Sequence, residues 1–191
     1  VIGAAVLAAP KLYFQTALQL GLPQWDLTEG AAVRAGRDCM MAAEALPFAA
    51  ESMDLLLLPH ALDDGEPCRA VADEAYRVLA AEGRLVLSGF NPHSVWRLLY
   101  RIERKPFPCE SGGLPFGRLK EAFEAAGFVF ERTEWLAGWP LHDVADGGGR
   151  QVHGWPATAL VYGAVLSKRQ AGIRPLDDDY PNVVDGLAFG M

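Results

Sequence analysis

The stretch that decides the fold is ESMDLLLLPHALDD at residues 51–64 together with EAYRVLAAEGRLVLSGF at residues 74–90. The continuous apolar run Met53–Leu58 predicts a strand that is buried on both faces of a parallel sheet. Apolar residues at helical spacing predict an amphipathic helix over Pro67–Ala81, and Arg84–Phe90 predicts a second strand. A strand, a helix and a strand in this order are typical of a right-handed crossover in a parallel α/β sheet.

Further strands and helices are predicted on either side of this block. The predicted strands are Thr16–Gly21, Phe128–Leu136 and Leu160–Lys168, and the predicted helices are Thr28–Arg34, with Asp26 as its cap, and Pro115–Ala126. Gly83 and Gly127 stand where the C′ glycines of two helices are expected. No long helix separates the last two strands, so they could pair antiparallel.

The composition bears on the class of protein and on its partners. The 191 residues favour one domain, and 51% hydrophobic with 21% charged residues is normal for a soluble globular protein. The net charge of -7 argues against a nucleic-acid-binding surface, which needs a basic stripe. Arg97, Arg101, Arg104 and Lys105 form either a local basic patch or, more simply, a solvated helix face.

The cysteines and the apolar N-terminal stretch bear on localisation. Cys39, Cys68 and Cys109 fit neither a zinc-binding spacing nor a disulfide framework, so we expect no metal and a reducing, cytoplasmic setting. The apolar opening VIGAAVLAAP is far shorter than the roughly 20 residues that span a bilayer, and it has no basic region before it. We therefore expect neither a membrane span nor a secretory signal.

The chain is predicted to form one domain followed by a tail. Residues 1–169 hold the predicted elements, whereas 170–191 carry prolines and the consecutive aspartates Asp177–Asp179. Such a composition predicts an extended or disordered tail. The apolar N-terminal stretch and a predicted antiparallel edge strand leave room for a homodimer.

Short motifs within residues 16 to 169 carry a resemblance to a known family. They are LPF (46–48), Ser52 and Asp54 in the pattern S-x-D, RVL (77–79) and EG (82–83), with LQLGLPQWD (18–26) and GFNPHSVW (89–96) further out. This set resembles the class I S-adenosylmethionine-dependent methyltransferases of the type 11-like group. In that group an acidic residue and an alanine precede LPF, and a helix ends in RVL before a glycine turn. The two outer motifs are similar to those of a proteobacterial subgroup.

The resemblance implies an α/β fold: a Rossmann-like class I methyltransferase sheet, mostly parallel with one antiparallel edge strand and with helices on both faces. S-adenosylmethionine would then lie across the carboxyl ends of the first strands. The implied cofactor-binding residues are Gly21 and Leu22 in the first turn, Asp38 as the nearest candidate for the ribose, Ala43 and Glu44 near the adenine, and Leu58 and Pro59 on the methionine side. Residues 91–96 would face the substrate.

The sequence departs from the family pattern in its first half. The family's first turn usually has two or three glycines, whereas here only Gly21 remains, followed by Leu22 and Pro23. Ala42 stands where the family often has an aspartate that binds the adenine. Too few residues separate Gly21 from Glu44 to hold two helices of about 11 residues and two strands of about 5 to 6.

Two histidines are candidate catalytic residues. Methyl transfer from a sulfonium needs positioning and a dry pocket, and it needs a general base when the acceptor has a proton to lose. His60 and His93 both follow the carboxyl ends of predicted strands. The alternatives are that His60 is a partly buried loop histidine and His93 a surface residue in the turn before a helix at Val95. His142 and Asp143 have no nucleophile partner, so we interpret that pair as incidental.

Two other features of the second half have simple structural explanations. Trp135, Trp139 and Trp155 either form an aromatic wall for a flat substrate or, as we favour, pack in the core. The glycine run Gly147–Gly149 follows no predicted strand and opens no predicted helix, so it indicates a linker rather than a phosphate-binding loop.

Two functional hypotheses follow. The first is a cytoplasmic methyltransferase that uses S-adenosylmethionine to methylate a small-molecule acceptor, which the sequence does not identify. The second is a protein that retains the fold with a degenerate cofactor pocket and acts as a binding or scaffolding partner. A nicotinamide-dependent oxidoreductase is set aside, because no G-x-G-x-x-G follows the first strand.

Overall fold

The computed structural model describes residues 14–24, 27–28, 32–64, 67–104, 109, 113–137, 152–153 and 155–168. The strands are β1 (Ala17–Gln19), β2 (Ala32–Arg34), β3 (Met53–Pro59), β4 (Leu79–Phe90), β5 (Phe128–Ala137), β6 (Val152–His153) and β7 (Val161–Lys168). The helices are α1 (Cys68–Val78), α2 (Val95–Ile102) and α3 (Phe116–Ala126). Outside the described residues lie the apolar opening, the predicted tail, Asp26, Lys105, Trp139, His142, Asp143 and Gly147–Gly149.

The strands form one sheet in the order β2-β1-β3-β4-β7-β5-β6. Strand β1 pairs parallel with β2 and with β3, and β3 pairs parallel with β4. Strand β7 runs antiparallel to both β4 and β5, and the edge strand β6 is antiparallel to β5. The predicted Rossmann-like sheet, mostly parallel with an antiparallel edge strand, is confirmed. The predicted antiparallel pairing of the last two long strands is confirmed as well.

Strand β3 lies at the centre of the core. Its four leucines, residues 55–58, are 0 to 1% exposed because β1 and β4 flank them and both faces of the sheet are covered. On one face Leu56 and Leu58 pack in the larger cluster with residues of α1 and α3, among them Val71 and Phe123. On the other face Leu55 and Leu57 belong to a smaller cluster. The apolar run that predicted a doubly buried strand therefore forms one.

The predicted helix Thr28–Arg34 is wrong in its second half, where the chain forms strand β2. Residues of β2 pair in parallel with β1, with Ala17 opposite Ala32, and the Ala35 N–H donates to the Gln19 carbonyl at 2.8 Å. Alanine and arginine favour helices in isolation, but this pairing satisfies the main chain beside β1 and overrides the local preference.

The predicted helix Pro67–Ala81 is shorter than expected. It ends at Val78, because Leu79 is extended (φ -73°, ψ 132°) and begins β4 opposite Met53. Gly83 is therefore not a helix cap but part of β4, where a Cβ would lie 2.7 Å from Leu79 Cγ. The second predicted cap is confirmed, since Gly127 follows α3 with φ +107°.

A buried lysine ties the last strand to the end of α1. Lys168 is 4% exposed, and its Nζ donates to the Leu79 carbonyl at 2.7 Å and to Glu51 Oε1 at 3.1 Å. The same ammonium lies 4.7 Å from the centre of the Tyr76 ring. These contacts join β7 to the junction of α1 and β4, at the edge of the sheet where β3 and β4 begin.

Replacing Lys168 by alanine is expected to lower the free energy of unfolding by about 1–3 kcal/mol, because the buried Leu79 carbonyl loses its donor. The matched control is Lys120→Ala, since Lys120 is an exposed residue of α3 paired with Glu124 at 3.6 Å, and we expect about 0.5 kcal/mol or less there. Urea denaturation measures both variants. Equal effects of the two substitutions would show that Lys168 does not anchor the sheet.

Candidate functional site

Gly21, directly after β1, touches the loop that follows β3. Its φ is +89°, and a Cβ at this position would lie 2.4 Å from the Pro59 carbonyl oxygen and 3.2 Å from Ala61 Cα. Only glycine tolerates both this conformation and this approach. Leu22 follows with φ +44°, in the left-handed region that non-glycine residues seldom occupy. The structure thus brings together Gly21 and Pro59, two of the predicted cofactor-binding residues.

A buried amide holds this turn from inside. Gln19 is 0% exposed, and its Nε2 donates to the carbonyl oxygens of Gly21 at 3.2 Å and Leu22 at 3.1 Å. Its Oε1 accepts from the Leu27 N–H at 3.4 Å. Gln19 was not among the predicted site residues. The sequence did contain one indication, namely a glutamine inside an apolar strand. Such an amide is buried and needs hydrogen-bond partners.

The turn after β2 lies beside the turn after β1. A Cβ on Gly36 would lie 3.6 Å from Pro23 Cγ, so the two turns are neighbours. Asp38 closes the second turn, because its Oδ2 accepts from the Arg34 N–H at 2.9 Å and from Arg34 Nε at 3.4 Å. The hydrogen bond from the Arg34 N–H holds the pKa of Asp38 below its ordinary value. Both hydrogen bonds are accepted by Oδ2, and the Asp38 side chain is 40% exposed.

Ala43 and Glu44 lie in the turn that precedes Leu46. Ala43 is half-buried against the larger core cluster, whereas Glu44 is exposed. The chain around them is anchored to α1, since the Leu46 N–H donates to Glu74 Oε1 at 2.6 Å. The Glu44 carboxylate is therefore held at the surface on a fixed turn.

His60 and Asp63 form a hydrogen-bonded pair at the carboxyl end of β3. His60 follows the buried residues Leu58 and Pro59 and has a φ of +55°. Its main-chain N–H donates to the Ser88 carbonyl at 2.9 Å. Its Nδ1 lies 2.6 Å from Asp63 Oδ2, and the side chains are 12% and 4% exposed. Because a carboxylate accepts, the proton belongs on Nδ1 and the lone pair on Nε2. This arrangement suits a general base.

Asp63 is itself fixed by the end of β4. The Phe90 N–H donates to Asp63 Oδ1 at 3.0 Å, and the Phe90 ring centre lies 4.5 Å from that of His60. A Cβ on Gly89 would lie 2.9 Å from Asp63 Oδ1, so this glycine makes room for the carboxylate. Asp63 was not among the predicted site residues. The sequence indicates Asp63 only by its position, three residues after a histidine in a loop that follows a buried strand.

A buried tyrosine lies beside the His60–Asp63 pair. Tyr162 is 0% exposed, and its hydroxyl donates to the Leu114 carbonyl at 2.9 Å. A Cβ on Gly89 would lie 2.5 Å from that hydroxyl and 2.9 Å from Asp63 Oδ1, which places both groups beside one glycine. Burial, and after it the charge of Asp63, raises the pKa of the Tyr162 hydroxyl well above its ordinary value. Tyr162 is therefore a neutral wall of the site.

His93 lies in the turn between β4 and α2 and is exposed. The Asn91 Oδ1 accepts from the His93 N–H at 3.1 Å, and Ser94 caps α2 by accepting from the Trp96 N–H at 3.3 Å. This geometry is that of the capping turn we gave as the alternative. A cavity of about 510 Å³ opens beside it, lined by His93, Ser94 and residues of α2.

Two tryptophans of the predicted cluster, Trp135 and Trp155, are in different surroundings. Trp135 packs between Phe116 and Tyr162, with ring centres 5.2 Å and 6.1 Å away. Trp155 is 82% exposed. The interpretation of Trp135 as a packing residue is supported, and an aromatic wall that includes both residues is not formed by these contacts.

The described part of the chain lacks two further features. Within it, no group of three or more His, Cys, Asp or Glu side chains could hold a metal ion. None of its helices is long and apolar enough to cross a membrane.

Comparison with known sequences supports the family resemblance. Residues 24–87 match the family model described as a methyltransferase domain. Over 68 residues the chain is 44% identical to uncharacterized protein YafS of Escherichia coli strain K12. This match covers 35% of the present chain and 28% of YafS, so it spans less than a third of that relative.

Comparison with solved structures supports the fold. An S-adenosylmethionine-dependent methyltransferase from Archaeoglobus fulgidus has a TM-score of 0.61 at 13% identity, over 87% of this chain and 93% of that one. One from Thermotoga maritima has a TM-score of 0.60 at 15% identity, over 87% of this chain and 88% of that one. These likenesses confirm the predicted fold, and the family model over residues 24–87 supports the resemblance to methyltransferases.

Proposed function

We propose that this chain, which has the class I methyltransferase fold, transfers a methyl group from S-adenosylmethionine to a small-molecule acceptor, with His60 as the general base. One observation carries the proposal, namely the His60–Asp63 pair at the carboxyl edge of the sheet, beside the turn at Gly21. Ligands of open α/β sheets bind at this edge.

His60 has the geometry that proton removal requires. Asp63 engages Nδ1 at 2.6 Å, which leaves Nε2 as the basic nitrogen. The imidazole cannot turn freely, because Asp63 holds its Nδ1 and the centre of the Phe90 ring lies 4.5 Å from its own. An acceptor O–H or N–H placed at Nε2 would pass its proton there as it becomes methylated. Asp63 acts through His60 and is a positioning residue.

The residues that were predicted to bind the cofactor suit S-adenosylmethionine by the chemistry of their donor and acceptor groups. Asp38 and Glu44 offer carboxylate oxygens at the surface, which suit the ribose hydroxyls and the adenine amine. Gly21 offers main chain without a side chain. When bound, the cofactor supplies an electrophilic methyl group on a sulfonium. The side chains of this site hold the cofactor and receive the acceptor's proton.

A second candidate function is favoured by the crowding of the first turn. Leu22 and Pro23 add side chains where the family has glycines, and Gln19 ties the carbonyls of Gly21 and Leu22 inward. A protein that kept the fold and lost the cofactor would act as a binding or scaffolding partner. The predicted homodimer, the cytoplasmic setting and the absence of nucleic-acid binding stay predictions.

Calorimetry with S-adenosylhomocysteine distinguishes the two candidates. The methyltransferase proposal predicts a saturable heat of binding to one site per chain. Ligand at about 1 mM would reveal binding as weak as about 4 kcal/mol. The matched control ligand is adenosine, which lacks the methionine part and is expected to bind less tightly. No heat and no thermal shift with S-adenosylhomocysteine would contradict the proposal and favour the scaffold.

A further inference from the structure

The connection between α2 and α3 contacts the loop that follows β3. The structure describes this connection at residues 103–104, 109 and 113–115. Cys109 is 4% exposed, and its Sγ donates to the main-chain carbonyl of Asp63 at 3.2 Å and lies 3.7 Å from Asp64 Oδ1. A thiol is a weak donor, so this contact alone would hold the loop only loosely.

Gly113 of the same connection lies against the end of β4. Its φ is +86°, and a Cβ at this position would lie 2.4 Å from the Phe90 carbonyl oxygen. Glycine is the residue that lets two stretches of main chain approach so closely. Phe90 is also the residue whose N–H donates to Asp63 Oδ1 at 3.0 Å and whose ring centre lies 4.5 Å from that of His60.

Leu114 binds the buried tyrosine of the site. The Tyr162 hydroxyl donates to the Leu114 carbonyl at 2.9 Å. The same hydroxyl lies beside Gly89, where a Cβ would be 2.5 Å from it and 2.9 Å from Asp63 Oδ1. Tyr162 therefore joins the connection to the surroundings of the Asp63 carboxylate.

All three contacts act on one hydrogen bond of the site. Residues 60–63 form a turn outside the strands and helices. Loops open more readily than core strands, so contacts with neighbouring segments decide how constantly a loop side chain keeps its orientation. Within this turn Asp63 Oδ2 has to stay near His60 Nδ1, from which it lies 2.6 Å away. The connection contacts the main chain of Asp63 directly, and it contacts Phe90 and Tyr162 beside the carboxylate.

We infer that the α2–α3 connection, through Cys109 and Tyr162, holds the loop 60–63 in place and that both residues are positioning residues for the proposed methyl transfer. This inference rests on the proposed function and adds two residues to its machinery. Neither side chain is required to touch the reacting atoms. When either hydrogen bond is lost, Asp63 orients the His60 imidazole for a smaller fraction of the time, and proton transfer becomes slower.

The test measures how fast the His60 Nδ1 proton exchanges with water, by NMR of the full chain labelled with ¹⁵N-histidine. The variant is Cys109→Ala with Tyr162→Phe, which removes a thiol and a hydroxyl and keeps the aromatic ring. Each lost hydrogen bond is expected to speed the exchange by about fivefold. Cys109→Ser keeps a donor at that position, and its exchange should stay within about twofold of the unaltered chain.

The matched control is Cys39→Ala with Tyr76→Phe, which removes the same two groups elsewhere. Cys39 is exposed, and the Tyr76 ring packs edge-on against Phe128, so the exchange of the His60 proton should not change. Both single variants, Cys109→Ala and Tyr162→Phe, are measured as well, and urea denaturation shows that each variant is folded. A folded single variant therefore gives a result even if the double variant does not fold.

The rate of methyl transfer supplies a second measurement. In Cys109→Ala with Tyr162→Phe, kcat should fall by about tenfold or more, whereas KM for S-adenosylmethionine should stay within about twofold, because the turns proposed to bind the cofactor are unaltered. A purely structural role would lower the free energy of unfolding without this separation of kcat from KM.

The inference is overturned if the unaltered chain shows no slowly exchanging His60 proton, if the folded variants exchange as slowly as the unaltered chain, or if the control pair exchanges equally fast. The exchange measurement needs neither cofactor nor acceptor, so calorimetry with S-adenosylhomocysteine separates the two claims. Cofactor binding with unchanged exchange refutes only this inference. Faster exchange in a chain that binds no cofactor refutes the proposed methyl transfer and supports the hold of the connection on the loop.

Discussion

His60→Gln is expected to slow methyl transfer by about 10² to 10⁴-fold, which is the usual contribution of a general base. Glutamine keeps a polar side chain of similar reach but cannot accept a proton. The affinity for S-adenosylhomocysteine should stay within about twofold, because the base acts on the acceptor and not on the bound cofactor. Initial rates of S-adenosylhomocysteine formation, with the best acceptor from a panel of small molecules that carry an O–H or N–H, measure the effect.

A second variant tests the positioning role of Asp63. Asp63→Asn should lower kcat while the affinity for S-adenosylhomocysteine stays within about twofold, because an amide at this position no longer enforces the orientation and tautomer of the His60 ring. Asp73→Asn on the exposed face of α1 is the matched control and should leave the rate unchanged. An unchanged rate in His60→Gln would remove the histidine from the mechanism.

Gly21→Ala is expected to lower the free energy of unfolding by about 2–5 kcal/mol, from left-handed backbone strain and from steric overlap together. The new Cβ would lie 2.4 Å from the Pro59 carbonyl oxygen at φ +89°, so one of the two loops must move. The same movement should weaken S-adenosylhomocysteine binding, because both loops line the proposed cleft. Urea denaturation and calorimetry measure the two effects.

Gly117→Ala is the matched control for this substitution. A Cβ on Gly117 would meet nothing within 4 Å, and the residue lies in helix α3. Alanine is the better helix former, so stability should stay equal or rise by up to about 1 kcal/mol. If Gly21→Ala were as stable as Gly117→Ala, the two loops would not be in contact as described.

The central part of the fold could be predicted because its pattern is strong and local. The leucine run of β3, which Pro59 ends, favours a short buried strand, and the spacing of apolar residues predicts a helix that contains α1. The predictions failed where pairing with a distant strand decides the outcome. Residues 32–34 would suit a helix but pair with β1, and Leu79 leaves α1 early because Met53 lies opposite.

The candidate site could be predicted only in part for a similar reason. His60 was singled out from its position after β3, but Asp63 was not. Their contact depends on φ +55° at His60 and on the Phe90 N–H that fixes the carboxylate, and neither is visible in the sequence. Gln19 was overlooked because its partners are main-chain carbonyls, which every residue possesses. Local patterns reveal elements, whereas polar contacts between loops require the assembled fold.

The most direct measurement is an experimental structure of the chain soaked with S-adenosylhomocysteine. We expect ligand density between the bend at Gly21 and the exposed carboxylate of Glu44, with the imidazole of His60 still bonded to Asp63 and its Nε2 open toward the sulfur end. Density that stays absent at saturating ligand, or that lies on the opposite edge of the sheet, would contradict the assignment of this chain as a methyltransferase.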